Sequence, residues 1–347
     1  MMDGEQQTIK YPFENAPDFG HVTEIASGVF WLRLPLPMAL DHVNLYALDD
    51  GDSWTLIDAG IGTRKCRAAL DAVLNGPLAG KPVGRVVLTH HHPDHVGLAG
   101  ELCANGASLV TTRTTYILTR MLTLDVQETY TDHALEFYKR YGMNTDVLTA
   151  RSTDERPFNF ADCVGDLPAG YLRIKDGDTI QMGGRTWDVI TGDGHAPEHA
   201  TFWSRDDNLV LGGDQLLPSI SPNIGVYPTE PDSDPLGEWI ASCEKFLPLA
   251  RADQLVLGGH KLPYYGLPLR LRQLIENHHG ALDRLLDHLE TPQRGGDCFV
   301  PLFKRDISGG EYGLAFVETV AHLNYLFHRG HITRQMGDDG AWLWQRV

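Results

Sequence analysis

The sequence predicts an α/β fold built in layers, with a small helical and hairpin unit at its C-terminal end. Three observations carry that reading. Short apolar runs rich in β-branched residues alternate with helix-like stretches along most of the chain. Histidines and aspartates recur just after those runs, at the strand ends where open α/β layers place their sites. Beyond about residue 265 the strand pattern gives way to amphipathic helices and a short hairpin.

The elements follow in order. VFWLRLPLP (29–37), VNLYALDD (43–50) and SWTLIDAG (53–60) read as strands, with Asp49-Asp50-Gly51-Asp52 as a hairpin turn. Residues 64–75 read as a helix and GRVVLT (84–89) as a buried strand. Val96 to Leu102 is a turn leading into a helix. From about Arg113 to Asp162 the character changes. Leu135, Phe137, Tyr138 and Tyr141 recur at helical spacing, and Glu136 lies near Lys139 and Arg140. One or two helices are expected there, as an insertion at about 113–165. Its aromatic side chains suit either the wall of a substrate cleft or a contact with a second copy. Strands resume at 171–184, 185–192, 199–204 and 208–214, a helix covers 235–247, and 253–260 is a last strand.

A boundary falls near Tyr264–Pro268, giving an expected catalytic unit 1–265 and a C-terminal unit 266–347. In the latter, Leu271, Leu274, Ile275, Leu282, Leu285, Leu286 and Leu289 mark one amphipathic helix. A second, at about 311–329, carries Phe316, Val320, Leu323 and Phe327 and stops at Gly330. The tail pairs two strands around Asp338-Asp339-Gly340, which makes the unit winged-helix-like.

Composition narrows the partners. Lys and Arg number 29 against 46 Asp and Glu, a formal charge of −17, so neither nucleic acid nor an anionic membrane is expected as the main partner. Cys66, Cys103, Cys163, Cys243 and Cys298 are scattered and form no CxxC pair, which fits a reducing compartment. The opening MMDGEQQTIK has no apolar signal-peptide core, and no run approaches the roughly 18 apolar residues of a membrane helix. A cytoplasmic protein acting on a small-molecule substrate is expected, with a homodimer possible.

The stretch LTHHHPDHVGLAG (88–100) concentrates the chemistry. Four histidines and an aspartate occupy positions 90–95, between a strand and a helix. So many polar side chains share a dry core only at high cost, and the flanking structure excludes a solvated His-rich tract. His90, His92, Asp94 and His95 form the pattern HxHxDH. Further candidates follow later strands: His195 in GDGH, Asp214 in GGD and His260 in GGH. Five histidines and two aspartates suit two divalent ions sharing a carboxylate. Zinc suits such donors, with iron or manganese as alternatives.

In THHHPDH, GDGH, GGD and GGH, in this order and spacing over residues 20–262, the chain resembles the metallo-β-lactamase superfamily. The resemblance implies a four-layer αββα sandwich with the metals at one edge of two sheets. It implies that His90, His92 and His195 hold one metal, that Asp94, His95 and His260 hold the other, and that Asp214 bridges them. The tail with ETVAHLNYL (318–326) is similar to the winged-helix tail of one branch of these hydrolases. The pattern also separates relatives: flavodiiron proteins carry Glu where His92 stands, and the basic clamp domain of the nuclease branch is missing.

Residues beside the ligands have two readings each. Asp58, in LIDAG, orients metal ligands by the resemblance, or is a turn residue. His91 is expected to point away from the ligands. His199 and Glu198 either support ligands or are solvated. His42 and Asn44 sit where the family's first hairpin approaches substrate. Tyr264 and Tyr265 place a hydroxyl near the metal edge or pack in the core. SISPNIGVYP (219–228) is a cleft-lining loop or a connector.

The expected reaction is hydrolysis by a hydroxide bridging two metals, with Asp94 taking and returning a proton as the catalytic carboxylate. No separate acid is evident for a poor leaving group. A thiol, with a pKa near 8.5, leaves unaided. Glutathione or CoA thioesters are therefore the leading substrates, in the manner of glyoxalase II, with lactones or other esters next. An endoribonuclease is the competing class. Nine Lys/Arg against ten Asp/Glu in residues 266–347 argue against it, because that unit offers no net basic surface.

Overall fold

A computed structural model describes residues 8–347; positions 1–7, the start of the expected catalytic unit and of the segment read for a signal peptide, lie outside the described residues. The first sheet runs in sequence order: β1 (Thr23–Ala26), β2 (Val29–Pro35), β3 (His42–Asp49), β4 (Trp54–Ile57), β5 (Val83–Val87), β6 (Ser108–Thr111) and β7 (Leu172–Arg173). It is antiparallel as far as β4 and parallel beyond. The second sheet comprises β8 (Thr179–Met182), β9 (Arg185–Gly192), β10 (His199–Ser204), β11 (Leu209–Gly213) and β12 (Leu255–Gly258), antiparallel except for the parallel β11–β12 pair.

Strand alternation builds the layers. Leu32, Leu45, Leu56 and Val86 face Cys66 and Leu70 of α1 (Arg64–Leu74). Their neighbours Trp31, Tyr46, Ile57 and Val87 point the other way and meet Trp187, Phe202, Leu211 and Leu257 of the second sheet. The outer face of that sheet, with Trp203, Val210 and Val256, packs on Leu236, Trp239 and Phe246 of α7 (Pro235–Phe246). The result is helix, sheet, sheet, helix, as the resemblance implies.

The loop after β5 carries α2 (Pro93–Val96) and α3 (Ala99–Ala104). Pro93 opens α2, where its missing N–H costs nothing. The insertion differs from expectation. It holds three helices, α4 (Arg113–Leu124), α5 (Asp132–Arg140) and α6 (Thr145–Thr153), rather than one or two. Each has a side-chain N-cap: Thr112, Thr131 and Asn144. The stretch 171–184 is also not one strand run. A turn at 175–178 divides it, sending β7 to the first sheet and β8 to the second.

The C-terminal segment contains α8 (Leu267–His288), α9 (Phe299–Phe303), α10 (Tyr312–His328) and the hairpin β13 (Ile332–Met336) and β14 (Trp342–Arg346). Its core is continuous with the second sheet: Leu271, Leu282, Phe316, Leu323 and Trp344 share one apolar cluster with Trp239, Val210 and Val256. Phe137, Tyr138 and Tyr141 of the insertion enter the same cluster. These aromatics therefore brace the C-terminal segment. Among the described residues no helix is long and apolar enough to cross a membrane.

Candidate metal centre

The two sheets deliver their loops to one edge. Parallel β4 and β5 end beside each other, at Asp58 and at the His90 loop; parallel β11 and β12 end at Asp214 and at His260. The antiparallel turn from β9 to β10 brings His195. The sheets are tied together there, because Ala200 N donates to the Thr89 carbonyl at 2.8 Å and Asn44 N to the Gly259 carbonyl at 2.7 Å.

Donor atoms from all seven candidate ligands converge. His90 Nε2 lies 3.1 Å from His92 Nδ1, which lies 3.0 Å from His195 Nε2. His260 Nε2 lies 3.2 Å from Asp214 Oδ2 and 3.4 Å from Asp94 Oδ2. His95 Nε2 lies 3.4 Å from Asp214 Oδ1 and 3.6 Å from Asp94 Oδ2. Asp214 Oδ2 also comes within 3.7 Å of His195 Nε2, so its carboxylate faces both histidine groups. Three groups have their donor atoms within 4.8 Å of one another: His90, His92 and His195; Asp94, His95 and His260; and His90, His95 and Asp214.

These residues fit divalent ions on three grounds. A tetrahedral ion with metal–nitrogen bonds of about 2.0–2.1 Å spaces its ligand atoms roughly 3.3 Å apart, close to the separations found. His95 Nε2 and Asp214 Oδ1 are buried without a hydrogen-bond partner, a costly state that a cation resolves. Finally, the outer ring nitrogens of three of these histidines are engaged by acceptors. His195 Nδ1 donates to the Asn223 carbonyl at 2.7 Å, and His260 Nδ1 to the His42 carbonyl at 2.8 Å. His95 Nδ1 donates to Asp58 Oδ2 at 2.8 Å. Because a carbonyl or carboxylate only accepts, a proton sits on Nδ1, which leaves Nε2 as the nitrogen turned inward toward a metal.

Asp58 is a hub rather than a plain turn. It adopts φ 63° and accepts from Thr89 N at 2.8 Å as well as from His95. Thr89 Oγ1 donates to the same carboxylate and accepts from His90 Nδ1 at 3.0 Å, so one buried carboxylate orients a histidine of each group. Burial and neighbouring imidazoles hold His90 and His92 far below the usual histidine range, in the neutral form that ligates. Burial opposes charge on His260 and His95 too, but Asp214 and Asp94 outweigh it: His260 is pushed up to about 10 and His95 well above its ordinary value. Burial likewise opposes the charge of Asp94 and Asp214, and His95 and His260 reverse it, holding both carboxyls low.

The remaining residues separate. His91 turns from the ligands and stacks on Phe160, ring centroids 6.3 Å apart. His199 is buried, stacks on His90 at 4.6 Å and accepts from Asp214 N at 3.1 Å. Glu198 Oε2 accepts from Thr114 N at 2.8 Å, linking the His195 loop to the start of α4. Asn44 Nδ2 donates to the Gly258 and Lys261 carbonyls, which ties it to the His260 loop. The His42 ring accepts from Lys261 N at 3.0 Å and lines a cavity of about 260 Å³ with Arg33, Lys261 and Ser219. Tyr264 is elsewhere: its fully buried ring belongs to the core around α7 and α8, because its backbone pairs with Val256 and turns the side chain inward. Thr89 and Asn223 had no signal in the sequence. Thr89 was hidden by the histidines beside it, and Asn223 contributes a backbone carbonyl that any residue type carries.

Comparison with known proteins gives concordant matches. The family model described as "Metallo-beta-lactamase superfamily" matches residues 38–260, and "Metallo-beta-lactamase-like, C-terminal domain" matches residues 282–347. The probable metallo-hydrolase YqjP of Bacillus subtilis (strain 168) is 29% identical over 310 residues, 86% of this chain and 92% of that protein. A hydroxyacylglutathione hydrolase of Methylococcus capsulatus is 24% identical over 184 residues, 51% of this chain and 52% of that one. The crystal structure of a beta-lactamase domain protein from Burkholderia ambifaria superposes with a TM-score of 0.88 at 32% identity, covering 99% of each chain.

Proposed function

The chain belongs to the metallo-beta-lactamase superfamily and is a metal-dependent hydrolase, and from that premise we propose that it cleaves thioesters of the glutathione or coenzyme A kind with two divalent ions, zinc fitting the donors best. His90, His92 and His195 would hold one ion, Asp94, His95 and His260 the other, and Asp214 would touch both. When bound, such ions supply Lewis acidity and a water of lowered pKa.

The observation that carries the substrate class is the shortage of proton donors. The Asp58 side chain is only 3% exposed and that of Asp214 only 8%, while Asp94 is open at 18%. Asp94 would accept a proton from the attacking water and release it to solvent or product. Among the described carboxylates of the centre, none besides Asp94 is open enough to serve a leaving group as an acid. A thiolate departs without one, since a free thiol has a pKa of about 8.5. An amine needs a proton, which disfavours amides and β-lactams. The partial similarity to a protein named for an acyl-glutathione substrate points the same way.

Steady-state assays on matched thioester, lactone, β-lactam and RNA substrates test the proposal. Thioesters should give the highest kcat/KM, abolished by a chelator and restored by zinc. Efficient metal-dependent cleavage of lactones or RNA with negligible thioesterase activity would replace this reading.

A further inference from the structure

We propose that Glu318 of α10 is a positioning residue for the metal centre: acting through Asn223 it fixes His195, so that the C-terminal segment sets the affinity of the His90–His92–His195 group for its ion. The inference rests on the metal-centre reading above.

His195 Nδ1 donates to the Asn223 carbonyl at 2.7 Å. That carbonyl lies between β11 and α7, in a stretch with no helix or strand, so its place depends on what holds the loop. Asn223 itself is held from α10. Its Nδ2 donates to Glu318 Oε2 at 2.9 Å and to the Leu314 carbonyl at 3.1 Å. Three residues on, Val226 N donates to the Val317 carbonyl at 3.1 Å. Between them Gly225 lies so close to the helix that a Cβ there would come 2.8 Å from Val317 Cγ2. The loop is thus laid along one turn of α10, and the side-chain link is the Asn223–Glu318 pair.

Glu318 is out of place by packing alone. Its neighbours Ala315, Phe316, Val317, Thr319 and Val320 are all buried, and an acid among them is costly. Burial pushes its carboxyl up to about 7, with the Asn223 amide acting against that rise. A strong acceptor at this point orients the Asn223 amide, and through it the peptide whose carbonyl meets His195. Outer partners of metal-binding histidines restrict ring orientation in this way.

The test measures stepwise zinc affinity by competition with a chromophoric chelator, and the visible spectrum of the cobalt-loaded protein, in full-length variants. In Glu318→Ala one ion should bind about tenfold more weakly while the other stays within about twofold, and the weakened ion should be the one lost in His195→Ala. Glu318→Gln, which still accepts from Asn223, should recover most of the loss. Asn223→Ala should match Glu318→Ala, and the double variant should lose no more than either single one. Equal weakening of both ions, no weakening in a folded variant, or fully additive effects of the two substitutions would overturn the proposal. If Glu318→Ala fails to fold, Asn223→Ala decides alone: it must weaken that ion and spare the other. Wild-type protein that takes up no ion would instead remove the metal-centre reading on which the proposal stands.

Discussion

Gly259 has no room for a side chain. A Cβ there would stand 2.2 Å from Asp214 Oδ1 and 2.8 Å from His95 Cε1, so the absence of a side chain lets the β12 loop close over the ligands. Gly259→Ala should fold yet bind metal at least about tenfold more weakly, since small displacements of ligands are costly; equilibrium dialysis with zinc checks this, and wild-type affinity would contradict it. Tyr264 makes the opposite case. Its hydroxyl is buried with no hydrogen-bond partner, so Tyr264→Phe should leave hydrolysis unchanged and stability equal or higher. A collapse of turnover in a folded Tyr264→Phe protein would return that hydroxyl to the site. At this scale the sequence was most informative about side chains that crowd together for one purpose. HxHxDH and the strand-end His195, Asp214 and His260 stand out because nothing but a cation explains them. Asn223 does not stand out, because its contribution is a main-chain carbonyl, nor does Glu318, which reads as one polar position on a helix.

The elements that reach the metal edge were legible for the same reason that they fold: strands with apolar side chains on both faces leave little choice of assignment. The insertion was harder. Helix α6 has no buried residue, so it shows no apolar period, and only its Asn144 cap marks where it begins. The β7 strand has two residues and is held by its neighbour rather than by its own pattern. The aromatic residues of α5 were visible, but their direction was not, since a ring at helical spacing packs equally well on a cleft, a second copy or its own chain. Here they lock α5 to the C-terminal segment. Tyr141 OH donates to the Pro231 carbonyl at 2.7 Å and approaches Asn324 Oδ1 at 3.1 Å, while its ring meets Trp342 and Trp344. Tyr141→Phe keeps the ring and removes the hydroxyl. It should cost about 1 kcal/mol of stability in chemical denaturation with kcat unaltered. A loss of kcat without a loss of stability would move α5 from brace to catalytic element.

Across the whole molecule one apolar cluster runs from the second sheet through α7 to α8, α10 and β14. The boundary read near Tyr264–Pro268 marks a change of element type, and the core crosses it without a break. Calorimetry of the metal-loaded chain should therefore show a single cooperative transition; two separated transitions would mean that residues 266–347 unfold on their own. Metal content is the direct test of a centre for two ions sharing Asp214. Elemental analysis of protein purified without chelator and then saturated with zinc should approach two ions per chain in the wild type, and Asp214→Ala should lose both under the same washing. Saturation at a single ion, or an Asp214→Ala protein that keeps both, would contradict it.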